Sequence, residues 1–222
     1  MENDTGFRFF NTILSCLRLL LLIGITSTLL GQAAAAEPIR ILALGDSLTA
    51  GYGLAANESF PAQLERELNA RGIAVQVINA GVSGDTTAGG LARLDWALSD
   101  RPDAVILALG ANDGLRAIDP ALTRANLAAI LDKLSTRNLP VLLAGIYAPP
   151  NLGKEYETEF NRIFPDLAAE YDTLLYPFFL AGVATDPALN QEDGIHPTAL
   201  GVTRLVQQIL PYVMRLLQRL PS

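Results

Sequence analysis

Apolar and polar positions alternate in blocks along this chain. From residue 37 onward, short apolar runs are separated by longer stretches with helical spacing. Residues 39–44, 74–78, 104–109, 141–146 and 173–176 read as strands. The run 104–109 is apolar throughout, the pattern of a strand covered by helices on both faces of a parallel sheet. Between the strands, helices are predicted over 60–70, 87–98, 120–136, 155–170 and 198–217. Ser59 is placed to cap the first and Gly72 to stop it, and Asp119-Pro120 gives the third an N-cap followed by proline at its first position. Pro165 and Pro211 fall inside the last two helices and are expected to bend them. Leu205, Ile209, Val213 and Leu216 form the apolar stripe of the final helix. Strands and helices alternating in this way predict a three-layer α/β/α sandwich on a mostly parallel five-stranded sheet, as one domain over 37–222. In such sheets ligands bind beyond the carboxyl ends of the strands.

The first 36 residues follow a different pattern. Arg8 and Arg18 precede an apolar run over 19–30, which leads into Gly31-Gln32-Ala33-Ala34-Ala35-Ala36-Glu37. That is the charged region, apolar region and small-residue site of a secretory signal peptide, with cleavage expected after Ala35 or Ala36. The run is short for a bilayer span; an uncleaved anchor is the other reading. Cleavage implies a periplasmic or secreted protein with no stable membrane insertion.

Composition narrows the chemistry. Half the residues are hydrophobic and 18% are charged, which excludes a disordered chain. A net charge of −7 without a long basic run argues against nucleic acid as a partner and against docking on anionic lipid. The single cysteine, Cys16, lies in the leader, so residues 37–222 hold no disulfide, thiolate metal site or cysteine nucleophile. His196 is the only histidine, which rules out a His-rich metal site and makes it the one candidate imidazole base. No cofactor or metal is called for, and the protein is expected to act as a monomer on a small substrate.

Four unusual loops carry the candidate chemistry. Gly45-Asp46-Ser47 follows the first strand, Asn79-Ala80-Gly81-Val82-Ser83-Gly84-Asp85 the second, and Gly110-Ala111-Asn112-Asp113-Gly114 the third, while Asp193-Gly194-Ile195-His196-Pro197 precedes the last helix. The first three leave the carboxyl ends of parallel strands and share a rim. Ser47 is either a nucleophile or a serine in a glycine-rich turn. A serine hydroxyl needs an adjacent base, and that base needs a carboxylate to set its tautomer. His196 and Asp193 match those needs. The N–H groups of Ser47 and Gly81 and the amide of Asn112 would supply an oxyanion hole. Asp46 and Asp113 are assigned to loop geometry, and Asp85-Thr86-Thr87 to the start of a helix. Leu115, Ile118, Tyr147, Pro149 and Leu152 either line a substrate groove or pack the loops they sit in.

Gly45-Asp46-Ser47-Leu48, Gly81, Gly110-x-Asn112 and Asp193-x-x-His196, in this order, resemble the four sequence blocks of the GDSL (SGNH) hydrolases. The likeness is nearest to the bacterial periplasmic subgroup of multifunctional acyl-CoA thioesterases, lysophospholipases and arylesterases. Ala111 stands where those relatives are expected to carry glycine. The resemblance implies a flavodoxin-like fold. It implies catalysis by Ser47, His196 and Asp193 with Ser47, Gly81 and Asn112 as oxyanion donors, and hydrolysis of aryl esters, short and medium acyl esters, acyl-thioesters and lysophospholipids. Thr49 breaks the Gly-x-Ser-x-Gly elbow of ordinary α/β-hydrolases. The rival readings are a carbohydrate-ester deacetylase of the same fold, a metal-dependent enzyme using Asp46, Asp85, Asp113 and Asp193, and a non-catalytic acyl-binding protein.

Overall fold

Five strands make the middle layer: β1 (Ile39–Gly45), β2 (Val75–Gly81), β3 (Ala104–Ala108), β4 (Val141–Ala144) and β5 (Leu174–Tyr176). All neighbouring pairs are parallel, in the order β2-β1-β3-β4-β5. This is the flavodoxin-like order, whose switch point falls between β1 and β3. The computed structural model describes residues 37–221; the expected signal peptide lies outside the described residues. β3 and β4 are buried along their whole length, as the unbroken apolar run in β3 anticipates. Truncating a fully buried side chain such as Leu42 or Leu107 to alanine would cost about 2–5 kcal/mol.

Eight helices are described: α1 (Ser47–Ala50), α2 (Phe60–Ala70), α3 (Thr87–Ala92), α4 (Leu94–Ala97), α5 (Ala111–Leu115), α6 (Pro120–Thr136), α7 (Lys154–Glu170) and α8 (Ala199–Leu217). α2 and α8 pack together in one outer layer, and α6 packs with α3 and α7 in the other. The α2–α8 contact has a polar clasp. Gln63 Nε2 donates to the Ala199 carbonyl at 3.0 Å, and Thr203 Oγ1 donates to Gln63 Oε1 at 2.7 Å. That clasp anchors the start of α8, three residues after His196.

Several boundaries differ from the expectation for physical reasons. The helix expected over 87–98 is broken after Ala92: Arg93 (φ −100°, ψ 2°) ends α3, and its side chain is drawn away to Asp85 and the Gly45 carbonyl. β2 runs on through Gly81, so Asn79, Ala80 and Gly81 belong to the strand rather than to the loop after it. Ser59 occupies the cap position of α2 without capping it, because its hydroxyl donates to the Ala56 carbonyl at 2.9 Å. α7 and α8 contain Pro165 and Pro211, as expected, and both prolines sit on exposed positions.

Candidate active site

β1 delivers the chain straight into α1, with Asp46 as its N-cap: Asp46 Oδ1 accepts from the Leu48 N–H at 3.0 Å. Ser47 is therefore the first helical residue, and its N–H is one of those left without an intrahelical acceptor. The short α1 was not predicted, because Ser-Leu-Thr-Ala between glycines carries too little helical pattern.

At the far end of the chain, the loop before α8 doubles back on itself through an Asn190–Pro197 bridge and a hydrogen bond from the Gln191 N–H to the His196 carbonyl at 2.7 Å. Asp193 lies at its tip. Asp193 Oδ1 accepts from the N–H groups of Ile195 (2.9 Å) and His196 (3.0 Å), and Oδ2 sits 2.6 Å from His196 Nδ1. His196 Nε2 lies 2.9 Å from Ser47 Oγ. The N–H of His196, its ring and the N–H of Ile195 hold the Asp193 carboxyl down at about 2. An ionised Asp193 only accepts hydrogen bonds, so Nδ1 carries the imidazole proton and Nε2 is left as the acceptor for the Ser47 hydroxyl. The structure thus brings together the three residues that the sequence separates by nearly 150 positions.

The oxyanion donors divide. Asn112, in α5, donates through Nδ2 to the Asp85 carbonyl at 2.9 Å, with Asp46 Oδ2 at the hydrogen-bond limit of 3.5 Å. One amide hydrogen is anchored and the other only weakly held. Gly81 does not fit its expected role: its N–H donates to the Asn79 side chain at 3.0 Å. Glycine is needed there for close packing, since a Cβ would lie 2.3 Å from the Ala50 nitrogen. Gly84, three residues on, differs from Gly81 in having its N–H free of any partner among the described residues. It sits at φ +81° in a turn closed by the Asp85 N–H onto the Val82 carbonyl. The Ser83-Gly84 turn signal was present in the sequence, but Gly81, the first glycine of the block, was the one assigned to the oxyanion hole.

The other carboxylates near the rim are occupied. Asp113 accepts from the Thr87 N–H (2.9 Å), the Thr87 hydroxyl (2.6 Å) and Thr123 (3.3 Å), so it braces α3 and α6. Asp85 pairs with Arg93 at 2.6 Å, and the same guanidinium donates to the Gly45 carbonyl at 2.9 Å, locking the loops after β1 and β2 together. Asp46 is 1% exposed, and burial pushes its carboxyl up to about 6. These commitments leave no converging set for a metal, and no group of three or more metal-ligating side chains is poised among the described residues.

The expected groove walls adjoin. The Tyr156 hydroxyl donates to the Ile118 carbonyl at 2.8 Å, and a Cβ on Gly114 would lie 3.3 Å from Pro149 Cδ. Ile118, Pro149 and Leu152 are half-buried in that junction, whereas Leu115 and Tyr147 are exposed. Tyr147 stacks on Phe178, just after β5, at 4.6 Å between ring centroids. The Tyr52 ring lies tilted against His196, 4.5 Å between ring centroids. Neither Phe178 nor Tyr52 was singled out in the sequence. A separate concavity of about 550 Å³, lined by Leu131, Tyr171 and Arg219 among others, opens at the amino ends of β4 and β5, the opposite rim of the sheet.

A serine, imidazole and carboxylate hydrogen-bonded in series is the constellation of the acyl-transferring serine hydrolases, and here it stands on the carboxyl rim of a parallel α/β/α sandwich. This chain belongs to the GDSL-like lipase/acylhydrolase family, whose model matches residues 43–204. It is 42% identical over 203 residues to the esterase TesA of Pseudomonas aeruginosa, a match covering 90% of this chain and 100% of that protein. It is 42% identical over 167 residues to thioesterase 1/protease 1/lysophospholipase L1 of Escherichia coli, covering 75% of this chain and 78% of the relative. Among solved structures, AlinE4, an SGNH-hydrolase family esterase, matches with 50% identity and a TM-score of 0.69 over 84% of this chain and 98% of its own.

Proposed function

We propose that this chain hydrolyses carboxylic esters and thioesters through an acyl-enzyme on Ser47. The observation that carries this reading is the continuous relay from Ser47 Oγ to His196 at 2.9 Å and from His196 to Asp193 at 2.6 Å. His196 Nε2 takes the hydroxyl proton as Ser47 Oγ bonds to the acyl carbon. The tetrahedral oxyanion rests on the N–H groups of Ser47 and Gly84 and the amide of Asn112. His196 returns the proton to the departing alcohol or thiol, then activates a water that releases the acid.

Tyr52, Val82, Leu115, Tyr147 and Ile195 expose large apolar side chains from the loops of this rim, which suits a single acyl chain or an aryl group lying in an open groove. The relatives named esterase and thioesterase/lysophospholipase support esters, acyl-thioesters and lysophospholipids as substrates, and the open groove suits aryl and short to medium acyl esters. Residues 1–36 are read as a leader that takes a monomeric enzyme to the periplasm or out of the cell. No helix among the described residues is long and apolar enough to cross a membrane.

The test is turnover of p-nitrophenyl esters of increasing chain length, phenyl acetate, an acyl-thioester and a lysophospholipid, beside Ser47→Ala. The variant should lose at least about 10⁴-fold in kcat on every substrate. Wild-type turnover by Ser47→Ala free of contaminating esterase would end the proposal. Release of acetate from acetylated sugars with no action on octanoyl esters would move it to a deacetylase.

A further inference from the structure

Gln191 lies two residues before Asp193 and reaches back across the rim. Its Nε2 donates to the Tyr52 carbonyl at 2.7 Å and to the Pro197 carbonyl at 3.0 Å. Both partners are pure acceptors, so chemistry sets which way the amide points. The N–H of Gln191 donates to the His196 carbonyl at 2.7 Å, and its own carbonyl accepts from the Gly194 N–H at 2.9 Å. One residue therefore holds both the histidine's loop and the segment that carries the nucleophile.

The connections close a ring. The Tyr52 N–H donates to the Ser47 carbonyl at 3.1 Å, the Tyr52 carbonyl accepts from Gln191, Gln191 holds Pro197, and His196 Nε2 returns to Ser47 Oγ at 2.9 Å. The Tyr52 ring lies against the imidazole inside this ring of contacts. Among the described residues, the Gln191–Tyr52 bond is the one hydrogen bond, besides that of Ser47 itself, joining residues 190–197 to residues 46–54. The rest of the loop's bonds return to its own stem. Space is kept for the amide as well: a Cβ on Gly53 would lie 2.3 Å from Gln191 Oε1. The loop needs such a tie because its tip is open, with the Asp193 side chain 38% exposed.

We infer that Gln191 is a positioning residue that sets the distance between Ser47 and His196 and keeps Tyr52 on the imidazole. It touches no reacting atom and acts through His196, so the inference rests on the acyl-enzyme reading of Ser47. Gln191→Met keeps the length and removes both donors. Its kcat on p-nitrophenyl butyrate should fall about 10–100-fold, the scale of an ångström-level misplacement. KM should change far less than kcat, because Gln191 itself touches no substrate and only Tyr52, one of several groove residues, is loosened. The loss should be equal on an acyl-thioester, and a fluorophosphonate should label Ser47 more slowly by the same factor. Gln191→Asn keeps an amide but is one methylene too short to reach both carbonyls. It should show the same loss, and it carries the test if the methionine variant does not fold. A folded variant with kcat within about threefold of wild type overturns the inference, and so does a loss confined to KM. If Ser47→Ala is dead while the Gln191 variants are fully active, this inference fails alone. If Ser47→Ala still turns over, the acyl-enzyme reading fails beneath it.

Discussion

Two aspartates flank the candidate nucleophile, and they are opposites. Asp46 is adjacent to Ser47 in sequence, 1% exposed, and pushed up to about 6. Asp193 is 146 residues away, with a side chain 38% exposed, and held down at about 2. Exposure alone does not decide the difference. Asp193 has two backbone N–H groups and an imidazole aimed at its oxygens. Asp46 has one good backbone donor and an amide at 3.5 Å, against near-complete desolvation. The charge a carboxylate keeps is the balance between the donors at its oxygens and its desolvation, and the two aspartates fall on opposite sides of it. The aspartate that stays charged supports the imidazole, and the buried one starts the helix on which the serine sits.

The sharpest way to break this contrast is Asp193→Asn. The amide oxygen still accepts from Ile195 and His196 N–H, so the loop keeps its shape. Its NH₂ then faces Nδ1 and forces the proton onto Nε2, where it cannot accept the serine proton. The expected loss is about 10⁴-fold in kcat with KM little changed. Since Asp193 is ionised down to about pH 2, the acid limb of the wild-type pH–rate profile should not follow its titration. A variant retaining more than a tenth of wild-type kcat would mean that the imidazole does not depend on this carboxylate.

Asn112→Ala tests the bridge between the two regions. The side chain links the Asp85 carbonyl with Asp46, and in the proposed mechanism it offers its second hydrogen to the oxyanion. Loss of one such donor typically costs about 10²–10³ in kcat. Its half-buried position predicts an unchanged fold by circular dichroism. An equal fall in kcat and kcat/KM would mark a transition-state contact, whereas a rise in KM alone would make Asn112 a ground-state binder.

How far these roles could be read from the sequence depended on the range of the interactions that set them. Strands β1, β3 and β4 are buried on both faces, so their apolar runs announced them, and the lone histidine with a carboxylate three residues earlier announced the base. The placement of Asn112 needed only the βα alternation, because the carboxyl ends of parallel strands share a rim; that of Asp193 needed the last helix to pack back on the sheet as well. The engagement of the Gly81 N–H was not legible because a one-dimensional block cannot show that Asn79 curls back onto it or that β2 extends to residue 81. The break after Ala92 was hidden for the same reason, since Arg93 answers to Asp85 and Gly45, partners set by tertiary structure. Gln191 and Tyr52 carry no local signal at all. Their meaning lies in a contact spanning 139 residues.

The smallest effect on turnover, and the most telling for Asp46, should come from Asp46→Asn. Asparagine keeps the oxygen that accepts from the Leu48 N–H, so α1 starts as before, and the loss in kcat should be far smaller than that of Asp193→Asn. The signature is in stability. A carboxyl whose folded pKa is raised to about 6 from 3.8 favours the folded state fully below about 4. That contribution disappears as pH rises through 6 and amounts to about 3 kcal/mol for a shift of about two units. Asp193 behaves in the opposite sense, its contribution being present above 3.8 and lost only as pH falls towards 2, outside this window. Urea unfolding at pH 4, 5.5 and 7 should therefore show the Asp46→Asn variant gaining steadily on the wild type as pH rises, most of the gain falling between 4 and 6. A difference that stays flat across those three points would mean that Asp46 is already ionised at pH 4 despite its burial. The donors around it would then outweigh desolvation, and the two aspartates would differ in position but not in kind.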